Sequence, residues 1–334
     1  MKKIFIKDIQ KGDFLEKEQF AVKNYKRMVS RNNKPYVDIE LADKSGSMRG
    51  KIWTDNLANC VGTKEGDVVE IDTTVEEFND MLQFNINRLL LIKKYNTEDF
   101  IQSSLVDAEK MHKELLSEIK KIKYKNIKAF LENLFIKDEE FIERFKKAPA
   151  GFKLHHAYSG GLLEHILETI ELSKGLEKKF PKLNKDLLTC GIILHDIGKV
   201  YEFEISTTII FTKRGKLLGH IYLGTELIRN KVPKDFPKDL LDEIIHFILS
   251  HHGEPELGSP TRPMTTEAVA LHALDLASAK IHMAYRAIHK EDILGEFTPY
   301  HRTLQTELYK SPYLEYQEGI KEDEDFNNNL RQEL

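Results

Sequence analysis

Cysteine is almost missing: Cys60 and Cys190 are the two thiols in 334 residues. They are too few and too far apart for a disulfide framework, so a reducing, cytoplasmic setting is expected. Long apolar runs are missing as well. Nothing in the chain approaches the roughly 20 apolar residues of a membrane-spanning helix. The opening MKKIFIKDIQKGDF is basic without the apolar stretch of a secretory signal. No membrane partner is expected. An excess of one charge is also lacking, with 50 Lys and Arg against 54 Asp and Glu, a net charge of -4. That balance excludes a uniformly basic nucleic-acid coat and a disordered polyelectrolyte, so any polyanion partner must find a local basic patch. What is present in quantity is hydrophobic residues, 41% of the chain, enough for two cored domains.

The first part of the chain has a strand period. Phe20 to Met28 precedes the polar turn RNNK, and PYVDIEL then alternates Val37, Ile39 and Leu41 with Tyr36, Asp38 and Glu40. After the turn DKSG, SMRGKIW alternates again, a helix-compatible NLANCVGT follows, and DVVEIDTTVEEF and MLQFNINRLLLI supply two further strands. Strand periods with a helix between the third and fourth predict a five-stranded OB-fold β-barrel. From Asn96 the period becomes helical, with Leu115, Ile119 and Ile122 on one face. KKAPAGF, with Pro149 and Gly151, breaks that pattern. The expected domains are the barrel over 1–95, a helical connector over 96–150, an all-α helical bundle over 151–310 and an acidic polar tail over 311–334. STTIIFTKRG is read as a small hairpin or loop within the bundle.

GIILHDIGKV places His195 and Asp196 directly after an aliphatic run, where burying an imidazole and a carboxylate is costly unless they pair or bind metal. The company they keep is more telling than the pair. GGLLEHILETIELS carries His165, GHIYLGTELI carries His220, IIHFILSHHGE carries His246, His251 and His252, and LHALDLASAKI carries Asp275. Each helix thus brings a metal-capable side chain to its apolar face. A single histidine such as His246 or His282 is well explained by ordinary hydrogen bonding, whereas the whole set requires several coincidences. Mixed imidazole and carboxylate donors without thiolate suit first-row divalent metals and disfavour a structural zinc site.

The ordered series H…HD…H…HH…D resembles the HD-domain metal-dependent phosphohydrolases. HHAYSGGLLEH, LHDIGK and SHHGE behind an OB-like domain resemble more closely the YhaM-type 3′-to-5′ exoribonucleases, also called the CMP-binding-factor family, over nearly the whole chain. The resemblance implies an HD-domain bundle with a dinuclear, manganese-type centre, although the ligand types also admit Fe2+, Co2+ and Zn2+. By the family pattern His165, His195, Asp196 and Asp275 hold one ion. Asp196 bridges to a second ion held by His220 and His251. Adjacent helical residues point about 100° apart, so His251 is taken as the ligand and His252 as facing substrate. Lys199 lies three positions after Asp196, on the same side of a continuing helix, and is expected to touch a non-bridging phosphate oxygen. Arg262, in GSPTRPMTTEA, is a second candidate for phosphate, with a bidentate guanidinium on a Pro-bracketed loop. His156 is placed in the cleft wall beside Tyr158.

The alternation of SMRGKIW sets Arg49, Lys51 and Trp53 on one strand face, the combination with which OB domains stack and hold single strands. Asp38 and Glu40 on the neighbouring strand interrupt a basic groove, and Lys120, Lys121, Lys123 and Lys125 of the connector are a further basic run. The resemblance implies removal of nucleotides from the 3′ end of single-stranded RNA, with single-stranded DNA as a further partner, to give nucleoside 5′-monophosphates. Self-association is left open. Two other readings stand beside it: a phosphohydrolase of nucleotides or cyclic dinucleotides, and a non-catalytic single-stranded-DNA-binding accessory protein.

Overall fold

The computed structural model describes residues 2–78, 81–101, 104, 106–152, 156–289 and 295–311. The expected acidic tail lies outside the described residues apart from Ser311, as does His155. Five strands, β1 (Phe14–Val29), β2 (Pro35–Asp43), β3 (Gly46–Ile52), β4 (Val68–Phe78) and β5 (Met81–Ile92), close a barrel in the order β1-β2-β3-β5-β4. The β3–β5 pair is parallel and the others are antiparallel. A 3-10 turn, Thr54–Asn59, sits between β3 and β4 where the sequence suggested a short helix. This is the Greek-key OB topology.

The barrel forms because every strand has one apolar face. Val37, Ile39 and Leu41, then Met48 and Ile52, then Phe84, Ile86 and Leu89 point inward and are buried. β1 is 16 residues long and serves both β2 and β4. Its pairing register shifts between Val22 and Asn24 and again between Leu15 and Glu18, where Lys17 has φ 53°. Such bulges bend a long strand so that a small barrel can close. Lys2 seals one end: its Nζ lies 3.0 Å from Asp43 Oδ2 and 3.8 Å from the Phe20 ring centroid, and it donates to the Gln19 carbonyl at 2.8 Å.

Gly50 stands where β3 meets β5. A Cβ there would lie 3.0 Å from Ile86 Cδ1, 3.1 Å from Phe84 Cβ and 3.2 Å from Ile39 Cγ2. Gly50→Val is therefore expected to overpack the barrel and to lower stability by about 1–3 kcal/mol. Urea unfolding followed by circular dichroism checks this, and an unchanged midpoint would show that the barrel interior yields more easily than its geometry suggests.

Beyond the barrel the chain is helical: α1 (Ala108–Lys121), α2 (Lys125–Glu132), α3 (Glu139–Phe145), α4 (Gly161–Ser173), α5 (Leu176–Lys179), α6 (Lys185–Leu194), α7 (Lys199–Glu202), α8 (Lys213–Lys231), α9 (Lys238–Ser250) and α10 (Thr266–Ile288). The helical period expected from Asn96 begins only at Ala108. Asn96 instead folds Thr97–Asp99 into a 3-10 turn by accepting from the Glu98 N–H, and Asp107 caps α1 by accepting from the N–H groups of Glu109 and Lys110. STTIIFTKRG holds the second strand of a hairpin, β6 (Phe203–Ile205) paired with β7 (Ile209–Phe211). No described helix is long and apolar enough to cross a membrane.

The chain divides into two compact units. One comprises residues 1–120, 130–164 and 196–231; the other comprises 121–129, 165–195 and the described residues of 232–334. In the first unit the hairpin docks on the barrel, with Thr207 Oγ1 donating to the Gly66 carbonyl at 2.7 Å. Its root is packed by rings, Phe211 lying 4.9 Å from both Phe152 and Phe203 between centroids. In the second unit α6 packs with α9 and α10. Gly191 permits the α6–α9 approach, because a Cβ there would stand 3.0 Å from the Phe247 ring.

Candidate metal centre

Within the second unit, α6 is buried from Leu187 to Leu194, and His195 forms its C-cap. The His195 ring is fully buried and its Nδ1 lies 2.8 Å from the Ile192 carbonyl. A carbonyl only accepts, so Nδ1 carries the proton and Nε2 presents a lone pair. His251, 1% exposed at the end of α9, is fixed in the same way by the Ile248 carbonyl at 2.8 Å. His165 on α4 faces Ser278 Oγ through Nδ1 at 3.2 Å, and that hydroxyl donates to Glu168. The relay orients a third imidazole with Nε2 directed inward.

The Nε2 atoms of His165 and His195 turn toward Asp275 on α10. Asp275 Oδ1 lies 3.1 Å from His165 Nε2 and 3.8 Å from His195 Nε2. The three ligand atoms of His165, His195 and Asp275 all lie within 4.8 Å of one another. The His251 ring stands 5.1 Å from that of His195 between centroids. Imidazole nitrogens whose other ring atom is tied back to the protein, converging on a carboxylate oxygen, suit a divalent cation, so the residues present fit the metal that the sequence suggests.

In the first unit, Asp196 is 2% exposed and lies 3.5 Å from His220 Nε2 through Oδ1. Its other oxygen accepts from Lys199 Nζ. The continuing helix expected across these residues is not formed: α6 stops at Leu194, a turn covers 195–198 and α7 starts at Lys199. Lys199 nevertheless reaches Asp196, and at 9% exposure it is a buried cation rather than a solvated one. Glu202, absent from the sequence reading, proves to orient His220. It is 6% exposed, its Oε1 accepts from the His220 N–H at 3.0 Å, and its Oε2 lies 3.3 Å from His220 Nδ1. A carboxylate on Nδ1 fixes the ring and leaves Nε2 toward Asp196. The only hint in the sequence was an acid standing in the otherwise apolar run VYEF.

The remaining candidates divide. His252 is half-buried, with Nδ1 3.1 Å from the Leu257 carbonyl and its ring 4.2 Å from that of His251. Arg262 is exposed and pairs with Glu254 at 2.7 Å. His156 is fully buried with φ 47°, its ring 5.8 Å from Tyr158. His246 accepts from the Met264 N–H at 2.9 Å, and burial holds its pKa below the usual histidine range. Burial raises both thiols, Cys60 up to about 11, so neither offers a thiolate at neutral pH. On the barrel, exposed Arg49 and half-buried Lys51 lie on the outer face of β3, and exposed Trp53 follows its last residue.

Comparison with known proteins covers both parts of the chain. The HD domain family model matches residues 162–280. The 3′-5′ exoribonuclease YhaM of Oceanobacillus iheyensis is 31% identical over 304 residues, 89% of this chain and 94% of that protein. The protein of the same name from Bacillus subtilis is 31% identical over 301 residues, covering 88% of this chain and 94% of its own length. Among solved structures, a domain of replication protein A from Methanococcus maripaludis aligns with 27% of this chain and 96% of its own length, at 20% identity and a TM-score of 0.23. The barrel assignment rests on its own strand order.

Proposed function

The chain belongs to the YhaM family of 3′-5′ exoribonucleases, and on that premise we propose that it shortens single-stranded RNA, and single-stranded DNA as a further substrate, from the 3′ end. The products are nucleoside 5′-monophosphates, and the setting is the cytoplasm. The observation that carries the reading is the convergence of His165, His195 and Asp275, with Asp196 the residue next to His195 in the chain. By the family pattern His165, His195, Asp196 and Asp275 would hold one divalent ion, and Asp196, His220 and His251 would hold a second; manganese is the expected metal. When bound, such ions supply an activated water and neutralise charge on the attacking and leaving oxygens at phosphorus.

The chain's own residues do the rest. Asp196 would offer its carboxylate to the metal, and Glu202 holds His220 in the tautomer that a ligand requires. Lys199 supplies a positive charge to a non-bridging phosphate oxygen during in-line displacement. Arg262 adds a second phosphate contact by exchanging its Glu254 partner for substrate, and His252 and His156 are further substrate contacts. Arg49, Lys51 and Trp53 hold the strand on the barrel.

The test is a time course on an oligoribonucleotide labelled at its 5′ end, with and without manganese, resolved by length. A metal-dependent ladder shortening from the 3′ end is expected. An oligonucleotide bound but uncut would point instead to an accessory binding protein. One neither bound nor cut would point to small nucleotides as substrates.

A further inference from the structure

The outer face of the barrel carries an arrangement that no single strand shows. Lys51 Nζ lies 5.1 Å from the Trp53 ring centroid, 5.5 Å from that of Phe78 and 5.7 Å from that of Tyr36. Tyr36 and Trp53 are themselves 5.4 Å apart at 34°. The rings come from β2, from the residue after β3 and from the end of β4. Trp53 is 39% and Phe78 58% exposed. Met28 pairs with Tyr36 and Met81 with Phe78, and both methionines are exposed, so the apolar surface extends past the rings.

Three partly open rings gathered around a cation do not serve the barrel core, which is complete on the opposite strand faces. We infer that Tyr36, Trp53 and Phe78 form a nucleobase platform, on which Lys51 leaves the ring faces for a backbone phosphate when a single strand binds. The inference rests on the proposed function and adds residues and a movement to it. Every base has a π face, so stacking tolerates any sequence, and the adjacent cation meets the phosphate that accompanies each base. The charges facing this surface permit it. Glu40 is held by Lys23 at 3.1 Å and by the Ser47 hydroxyl. Glu76 accepts from Asn85 Nδ2 at 2.6 Å. Asp38 lies opposite Lys51 in the β2–β3 pairing, and exposed Arg49 lies two residues along the same strand.

Trp53 is the only tryptophan in the chain, so its emission reports on this surface alone. The full-length protein is titrated in EDTA with a short oligouridylate, beside Tyr36→Ala, Phe78→Ala and Lys51→Met. The same preparations are assayed with manganese for 3′ shortening. Saturable quenching of Trp53 is expected, with affinity falling about tenfold on removal of either ring. Lys51→Met should lower the slope of log affinity against log salt by about 0.7, one phosphate contact on a single strand. All three positions are on the outer face, and circular dichroism confirms the fold of each variant. Hydrolysis that persists while neither ring variant changes quenching or affinity would overturn the platform. Quenching by an acidic peptide in place of RNA would do the same and mark a protein-docking surface. Ring-dependent quenching without any hydrolysis would uphold the platform and defeat the exoribonuclease reading.

Discussion

Asp196→Asn is expected to slow hydrolysis by at least about 10²–10³-fold, the loss typical when one preorganised charge is removed from a transition state. The substitution keeps the shape of the side chain and removes its charge, in a place that is 2% exposed and shared by Lys199 Nζ and His220. Oligonucleotide affinity, which the proposal gives largely to the barrel, should be unchanged. The substitution also strands the buried Lys199 cation, and breaking a buried pair from one side costs about 3–5 kcal/mol. The double variant Asp196→Asn/Lys199→Met removes that penalty and should recover stability without recovering hydrolysis. Calorimetric titration with manganese should show weakened binding in both variants. If either variant hydrolysed RNA at the parental rate, the assignment of Asp196 to the metal centre would be wrong.

Gly198→Ala is expected to be nearly as damaging, although residue 198 bears no functional group. A Cβ at this position would stand 1.9 Å from the His220 carbonyl oxygen and 2.5 Å from the Gly224 nitrogen. Both obstacles are backbone, so α8 must move away from the turn that follows Asp196. Displacement on the order of 1 Å at a catalytic group costs about 10²-fold in rate. It would separate His220 from Asp196 and from Glu202, which fixes the ring at Nδ1. Reduced manganese affinity together with a rate loss of that size, in a protein that still binds oligonucleotide through its barrel, is the expected pattern. A variant with unaltered metal affinity would show that α8 can shift without carrying His220 with it.

Gly198 also shows where the sequence stopped being informative. In HDIGK nothing distinguishes it from any other glycine, and the contact that makes it necessary lies on α8, beyond the hairpin. Glu202 was missed for the same reason, because an acid near a helix end is ordinary until His220 is seen against it. His251 and His252 could not be separated from spacing. Their backbones follow one another, but the Ile248 carbonyl turns one ring toward His195 while the Leu257 carbonyl holds the other. The alternation of β3 placed Arg49, Lys51 and Trp53 on one face, yet Phe78 reaches that face only because the barrel closes.

Sequence by itself determined the strand periods of the barrel, the helical period after it, and the identity and order of the imidazoles and carboxylates. These follow from local rules: one apolar face per strand or helix, and a cost for burying charge that demands a partner. Tertiary structure alone decided which tautomer His195, His220 and His251 adopt, which glycines must lack a Cβ, and that residues 196–231 pack with the barrel in one compact unit while His165, His195 and Asp275 gather in the other. The hairpin β6–β7 shows the physical reason. Its hydrogen bond to Gly66 joins positions remote in the chain, and such a contact depends on how completed elements meet, which periodicity within an element does not encode.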